Sequence, residues 1–418
     1  MNASSFSVNG RLYTLPSRPL VGICLDGSAD DYFDAAMAHG MMPNLQQMGL
    51  CGWRGTARGA MPSFTNVNNS SIVTGVPPSV HGIGGNFFYD TSIGQEVMMN
   101  SSKFLRAETI FPSVQRSGRK VAVVTAKEKL RDIFANGLVG PASGGIAFSS
   151  EKASQARIDS HGIDSVESLV GPTPPIYSGE ASLYVLRAGV KLIETGRADF
   201  LYLSTTDFMQ HKFAPEAKEA LEFYAAIDVE VGKLLRLGAI VAVTADHGMN
   251  AKQKADGTPN VVYLESELVA RFGPGFRVIL PITDPYVVHH GALGSFAQVH
   301  LDSSEPASLA AVIRFISGLP GVTEVLDRST AAQRMELPPD RMGDLVVCSG
   351  RDSVLGRTPE YHDLKAIEGG LRSHGGRYEE MVPFFVSEPL KPAYALRARA
   401  DVRNFDLFDF LINGTIAR

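Results

Sequence analysis

Six residues of oxygen- and nitrogen-ligand type stand at the ends of apolar runs or in glycine-rich turns: Asp26, Asp207, His211, Asp246, His247 and His374. Asp26 closes PLVGICLD, Asp207 closes DFLYLSTTD, and Asp246 with His247 closes AIVAVTADH. Asp207 and His211 are four residues apart, so a helical turn begun at the run's end aims them the same way. Asp246 and His247 are adjacent and would face opposite sides of a strand, but a turn at Gly248 lets both converge. His374 lies in the turn sequence RSHGG. Each feature alone has a plain structural account, a capping Asp or a surface His. Together they form a carboxylate and imidazole set of the kind zinc accepts. Divided in two, the set offers three protein ligands to each of two ions and leaves positions for a nucleophile and substrate. Paired ions of this kind suit displacement at phosphorus.

A nucleophile candidate is Thr65 in MPSFTNVNNSSIVTG. It precedes residues 66–74, which can form a helix, and Thr is a favoured N-cap. The head of a helix offers unpaired N–H groups and partial positive charge to an anion. A hydroxyl held there against a divalent ion loses its proton more easily, as a threonine alkoxide nucleophile requires.

The elements that must position these groups are legible in the same runs. PLVGICLD, KVAVVTAK, DFLYLSTTD and AIVAVTADH are continuous enough to be strands covered on both faces. Helical stretches over 103–117, 181–196 and 216–237 separate them. This alternation predicts an α/β, doubly wound, mostly parallel sheet, with ligands bound outside the carboxyl ends of its strands. After Asp246 the pattern changes to FRVILP (276–281), FAQVHL (296–301), a helix over 306–318, TEVLDR (323–328), a helix over 329–336 and DLVVCS (344–349). We expect a smaller α+β cap domain at 269–355, inserted into a core made of 1–268 and 356–418. PFFVS (383–387) is expected as a late strand and 403–413 as a closing helix.

Composition excludes several classes. With 418 residues, 44% hydrophobic and 20% charged, the chain is expected to be globular with two or three domains, not disordered, collagenous or coiled-coil. A net charge of -5 lacks the basic excess of a general nucleic-acid binder. Three cysteines, Cys24, Cys51 and Cys348, are too few and scattered for a disulfide framework or thiolate zinc site, so a cytoplasmic setting is expected. No apolar run approaches the roughly 18 residues of a membrane span, and the N-terminus reads as a polar arm rather than a secretory signal.

LDG at Asp26, MPSFTN, TTDFMQH, ADHGM and SHGG resemble the alkaline phosphatase superfamily, and within it the phosphodiesterase-like branch. SFTNVNNSSIVTG, HGIGGNFFYD and TAKEKLR resemble the phosphonoacetate hydrolases of that branch. The resemblance implies a two-zinc site at the carboxyl edge of an α/β core, under a cap. It implies that Asp207, His211 and His374 hold one Zn2+ and that Asp26, Asp246 and His247 hold the other, with Thr65 also reaching it. Asn86 would donate to a phosphoryl oxygen, and Lys127 and Lys129 would meet a substrate carboxylate. Strand-like alternation around Glu128 would put both ammonium groups on one side. Phosphonoacetate is a small anion whose C–P cleavage expels carbon, so charge must spread into the carboxylate; cations there stabilise it as it develops. The alternative is a phosphodiesterase or nucleotide pyrophosphatase. A homodimer is possible. His81, His161, His289 and His290 receive no role.

Overall fold

A computed structural model describes residues 5–138, 144–282, 291–301, 308–367 and 370–416. Its centre is a seven-stranded sheet in the order Trp53–Arg58, Met381–Val386, Ile240–Thr244, Leu20–Cys24, Phe200–Ser204, Val121–Thr125 and Ile146–Ser149. Pairing is parallel from Ile240–Thr244 through Ile146–Ser149. Met381–Val386 runs antiparallel to both of its neighbours. The four expected runs are thus strands, and they are consecutive in the sheet. Alternate side chains divide between two cores. Val21, Ile23, Leu201, Leu203, Val241 and Val243 pack on one face, and Leu20, Cys24, Phe200, Tyr202, Ile240 and Ala242 on the other. Helices Asp30–Ala38, Gly179–Glu194 and Lys218–Arg236 cover the first face. Ile110–Arg116, Glu128–Phe134 and the chain's end cover the second. This is the doubly wound, mostly parallel α/β core expected.

A second, antiparallel sheet has the order Phe276–Ile279, Phe296–Leu301, Leu345–Ser349, Val322–Asp327. Helices Leu309–Ser317 and Arg328–Arg334 accompany it, as does Leu264–Phe272. Their apolar residues form a separate cluster that also takes in Met61, Phe64 and Val67, so this layer rests directly on the Thr65 segment.

Three local expectations are corrected. The span 103–117 is not one helix but a short 3-10 turn, Ser102–Phe104, and a helix Ile110–Arg116. Pro112 has no N–H to give and belongs in a first turn, so the helix must begin close before it. The span 403–413 divides into a 3-10 turn Asn404–Asp406, a helical turn Leu407–Asp409 and a wider π turn Phe410–Gly414. The polar N-terminal arm contains a hairpin, Ser5–Val8 with Arg11–Thr14. His289 and His290 lie outside the described residues.

Candidate metal centre and nucleophile

Four neighbouring parallel strands end in register, Thr244 beside Cys24, Cys24 beside Ser204 and Ser204 beside Thr125. Asp246, Asp26, Asp207 and Lys127 each follow within three residues of those ends. Adjacent strands lie about 4.8 Å apart, so the sheet itself sets these groups in a row. Asp207 precedes the helical turn Phe208–Lys212, which brings His211 Nε2 to 3.0 Å from Asp207 Oδ2. His374 arrives from the other side, on the loop after Arg372–Ser373, with Nε2 3.7 Å from the same oxygen. His247 Nε2 lies 3.2 Å from Asp26 Oδ1 and 3.8 Å from Asp246 Oδ2. Two buried groups result, Asp207 with His211 and His374, and Asp26 with Asp246 and His247, each with ligand atoms within 4.8 Å of one another.

The donor set fits cations. All three imidazoles give their Nδ1 proton to a backbone carbonyl: His211 to Arg372 at 2.7 Å, His374 to Ser63 at 2.8 Å, His247 to Gly248 at 2.9 Å. A neutral ring fixed this way turns the lone pair of Nε2 toward the carboxylates, the orientation a metal-ligating histidine takes. Acceptors then face acceptors. Asp26 is fully buried, and neither of its carboxylate oxygens accepts a hydrogen bond. Its nearest cationic groups, His247 Nε2 at 3.2 Å and Lys127 Nζ at 3.7 Å, leave room for a bound cation to complete its partners.

The electrostatics follow from this crowding. Burial and the neighbouring Asp26 push the Asp246 carboxyl well above the ordinary carboxylate range. Burial works to lower His247, but Asp246 and Asp26 outweigh it and raise the imidazole to about 9. Burial also disfavours ionised Asp207, yet Lys127 and His211 hold it well below the usual range. His374 is depressed by burial and by the other two histidines.

Thr65 opens the helix Thr65–Thr74. The expectation that it caps the helix is corrected, because Phe64 holds the extended N-cap position and Thr65 is the first helical residue. Its hydroxyl is therefore not spent on capping and lies 3.4 Å from His247 Nε2. The Asn66 N–H donates to Asn86 Oδ1 at 3.1 Å, which leaves the Asn86 amide nitrogen as the donor beside the helix head. Lys127 Nζ reaches Asp207 Oδ1 at 3.2 Å and Asp26 Oδ2 at 3.7 Å. The strand-like alternation expected for the lysines does not hold, since the helix Glu128–Phe134 begins at once after Lys127 and carries Lys129 in its first turn.

All ten residues of Thr65–Thr74 are buried although most are polar. Asn69 explains part of this. Its Nδ2 donates to Thr65 O at 3.1 Å and Asp246 Oδ2 at 3.0 Å, while its Oδ1 accepts from Tyr202 Oη at 2.6 Å and Ser204 Oγ at 2.8 Å. With a carboxylate on one side, the amide can face only this way. Sequence reasoning did not single out Asn69; the available signal was a run of asparagines, poor helix formers, inside an expected helix. His81 and His161 join neither ligand group. His81 is fully buried, with Nε2 2.8 Å from Ser71 Oγ and its ring lowered to about 3 by burial.

The family described as type I phosphodiesterase / nucleotide pyrophosphatase matches residues 20–376. The chain belongs to this family. Curated relatives include the venom phosphodiesterase of Naja atra, 24% identical over 249 residues, or 56% of this chain and 26% of the venom protein. The chain thus matches about a quarter of the length of that curated relative. Among solved structures, phosphonoacetate hydrolase from Sinorhizobium meliloti 1021, in complex with phosphonoacetate or with phosphonoformate, is 46% identical with a TM-score of 0.92, covering 99% of this chain and 100% of that one. Murine ectonucleotide pyrophosphatase / phosphodiesterase 5 shares the fold, with a TM-score of 0.62 at 18% identity over 96% of each chain. No helix among the described residues is long and apolar enough to cross a membrane.

Proposed function

We propose that this chain hydrolyses the carbon–phosphorus bond of phosphonoacetate to acetate and phosphate, at a site holding two Zn2+, with Thr65 as nucleophile. The observation that carries the substrate is full-length similarity, at 46% identity, to a hydrolase whose structure holds phosphonoacetate. Asp207, His211 and His374 would hold one ion, and Asp26, Asp246 and His247 the other, within reach of Thr65. Bound there, two divalent ions supply Lewis acidity, easing deprotonation of the threonine hydroxyl and neutralising charge on the phosphonyl oxygens.

The chain's own residues do the rest. Thr65 Oγ1 attacks phosphorus and forms an O–P bond as the C–P bond breaks. The C–P electron pair passes to the methylene carbon and spreads into the carboxylate as an enediolate, which takes a proton to become acetate. Water then cleaves the phosphothreonine, returning Thr65 and releasing phosphate. Asn86, its oxygen already occupied by the Asn66 N–H, offers its amide hydrogens to a phosphonyl oxygen. Lys127, beside the ligand carboxylates, and Lys129, in the first turn of its helix, meet the substrate carboxylate and stabilise the enediolate. The same reading takes 269–355, which carries the second sheet, as a cap inserted in the core 1–268 and 356–418; the packing of its cluster on Phe64 supports a cap over the Thr65 segment.

A second reading, phosphodiester or nucleotide pyrophosphate cleavage, is favoured by the family match over residues 20–376. It has no need of paired lysines. Lys127→Ala and Lys129→Ala should each raise KM for phosphonoacetate, and Lys129→Ala should have little effect on any slow cleavage of a nitrophenyl phosphodiester. Unchanged phosphonoacetate kinetics in both variants would sink the carboxylate pocket and favour the diester reading.

A further inference from the structure

Beyond the two ligand groups lies an ion pair that the chemistry above does not use. Lys252 and Glu379 are fully buried, with Nζ and Oε1 2.8 Å apart. Taking both charges out of water is worthwhile only where further hydrogen bonds complete the geometry, and here they do. Glu379 Oε1 also accepts from Asn250 Nδ2 at 2.6 Å, and Oε2 accepts from the Gly376 N–H at 3.0 Å. The Glu379 carbonyl accepts from the Gly248 N–H at 2.8 Å. Gly248 follows His247, and Gly376 stands two residues after His374. One residue therefore grips both histidine-bearing turns. Lys252 ties the grip to its surroundings: Nζ donates to Arg351 O at 2.8 Å and its backbone N–H to Leu371 O at 2.8 Å. Asn250–Ala251 pairs with Arg372–Ser373 between the two turns.

The consequence is visible in the rings. His247 and His374 belong to different ligand groups, yet their imidazoles stack with centroids 3.5 Å apart and planes within 3°. Two rings this close and parallel fix how far apart the groups can sit. We propose that Lys252 and Glu379 are positioning residues that set the spacing between the two metal-ligand groups by clamping the His247 and His374 turns together. This rests on the reading of those groups as metal ligands.

The test uses the full chain stripped with chelator and titrated with Co2+, an ion that accepts the same nitrogen and oxygen donors and absorbs in the visible. The double variant Lys252→Met with Glu379→Gln leaves no unpaired buried charge, so it is preferred over either single change. The expected result is a cooperatively folding protein that binds Co2+ about tenfold more weakly, with an altered visible spectrum even when saturated. Wild-type affinity with a superimposable spectrum overturns the proposal, since a pair that only stabilises the fold would not alter the ligand field. Should the double variant fail to fold, Asn250→Ala decides in the same way. It removes one donor to Glu379 without stranding a charge, and a smaller loss of affinity with a changed spectrum is expected, while no change in either overturns the proposal. A wild-type chain that takes up no Co2+ overturns the metal reading itself, a result distinct from uptake that the variants leave untouched.

Discussion

The Thr65 hydroxyl lies 3.4 Å from His247 Nε2 at the head of a helix with no exposed residue. If this hydroxyl attacks phosphorus, Thr65→Ala should lower kcat by about 10^4-fold or more while zinc content, read by elemental analysis, stays at two per chain. Most of the activity surviving in that variant would remove the nucleophile assignment. Asn69 makes a different prediction. It is the side-chain donor to Asp246 Oδ2, the other Asp246 oxygen being held by the N–H groups of Gly27 and His247. Asn69→Ala should weaken metal binding roughly tenfold and leave the affinity of the Asp207 group less affected, measured by zinc titration against a competing chelator. The candidate ligand residues were legible in the sequence because three aspartates each followed an apolar run. Asn69 was not, because its importance lies in four partners, two of them on the Phe200–Ser204 strand more than 130 residues away.

At the scale of elements, the site is the row of ends that four in-register parallel strands create, and the turns leaving those ends are tight. Gly27, directly after Asp26, has φ +71°, and a Cβ there would lie 2.8 Å from Asp207 Cβ. Gly27→Ala should therefore push the Asp207 turn outward, lowering metal occupancy of that group, and strain the turn by about 1–2 kcal/mol, read as a lower Tm. Retention of full zinc content and wild-type Tm would show that the turn tolerates the shift. Element identity was readable where apolar runs were long; element ends were not. Thr65 had the residue type of an N-cap, but Phe64 took that position, freeing the hydroxyl. Lys127 and Lys129 had strand spacing, but a helix started between them. Both outcomes were decided by packing against the second sheet and the neighbouring strands, which local sequence does not encode.

At the scale of the molecule, a metal-free protein would carry strain at its own centre. His247 is raised from an ordinary 6.5 to about 9, against the pull of burial, by Asp246 and Asp26. A group raised on folding lends stability that is whole below its unfolded value and lost as pH climbs through its folded one. Asp246, also raised, acts in the same direction. Chelator-treated protein should therefore lose Tm between pH 6.5 and 9. Metal must displace the same protons, so zinc affinity should rise over that interval, and the Tm gap between loaded and stripped protein should widen. A gap that narrows as pH rises would contradict the assignment of these residues as ligands.

The proposed reaction is defined by the bond that breaks. Zinc-loaded protein should be incubated with phosphonoacetate, and acetate and inorganic phosphate quantified together, beside a nitrophenyl phosphodiester under the same conditions. Acetate and phosphate should appear in equal amounts, with phosphonoacetate turned over far faster than the diester. Intact phosphonoacetate beside a rapidly cleaved diester would contradict the proposed reaction.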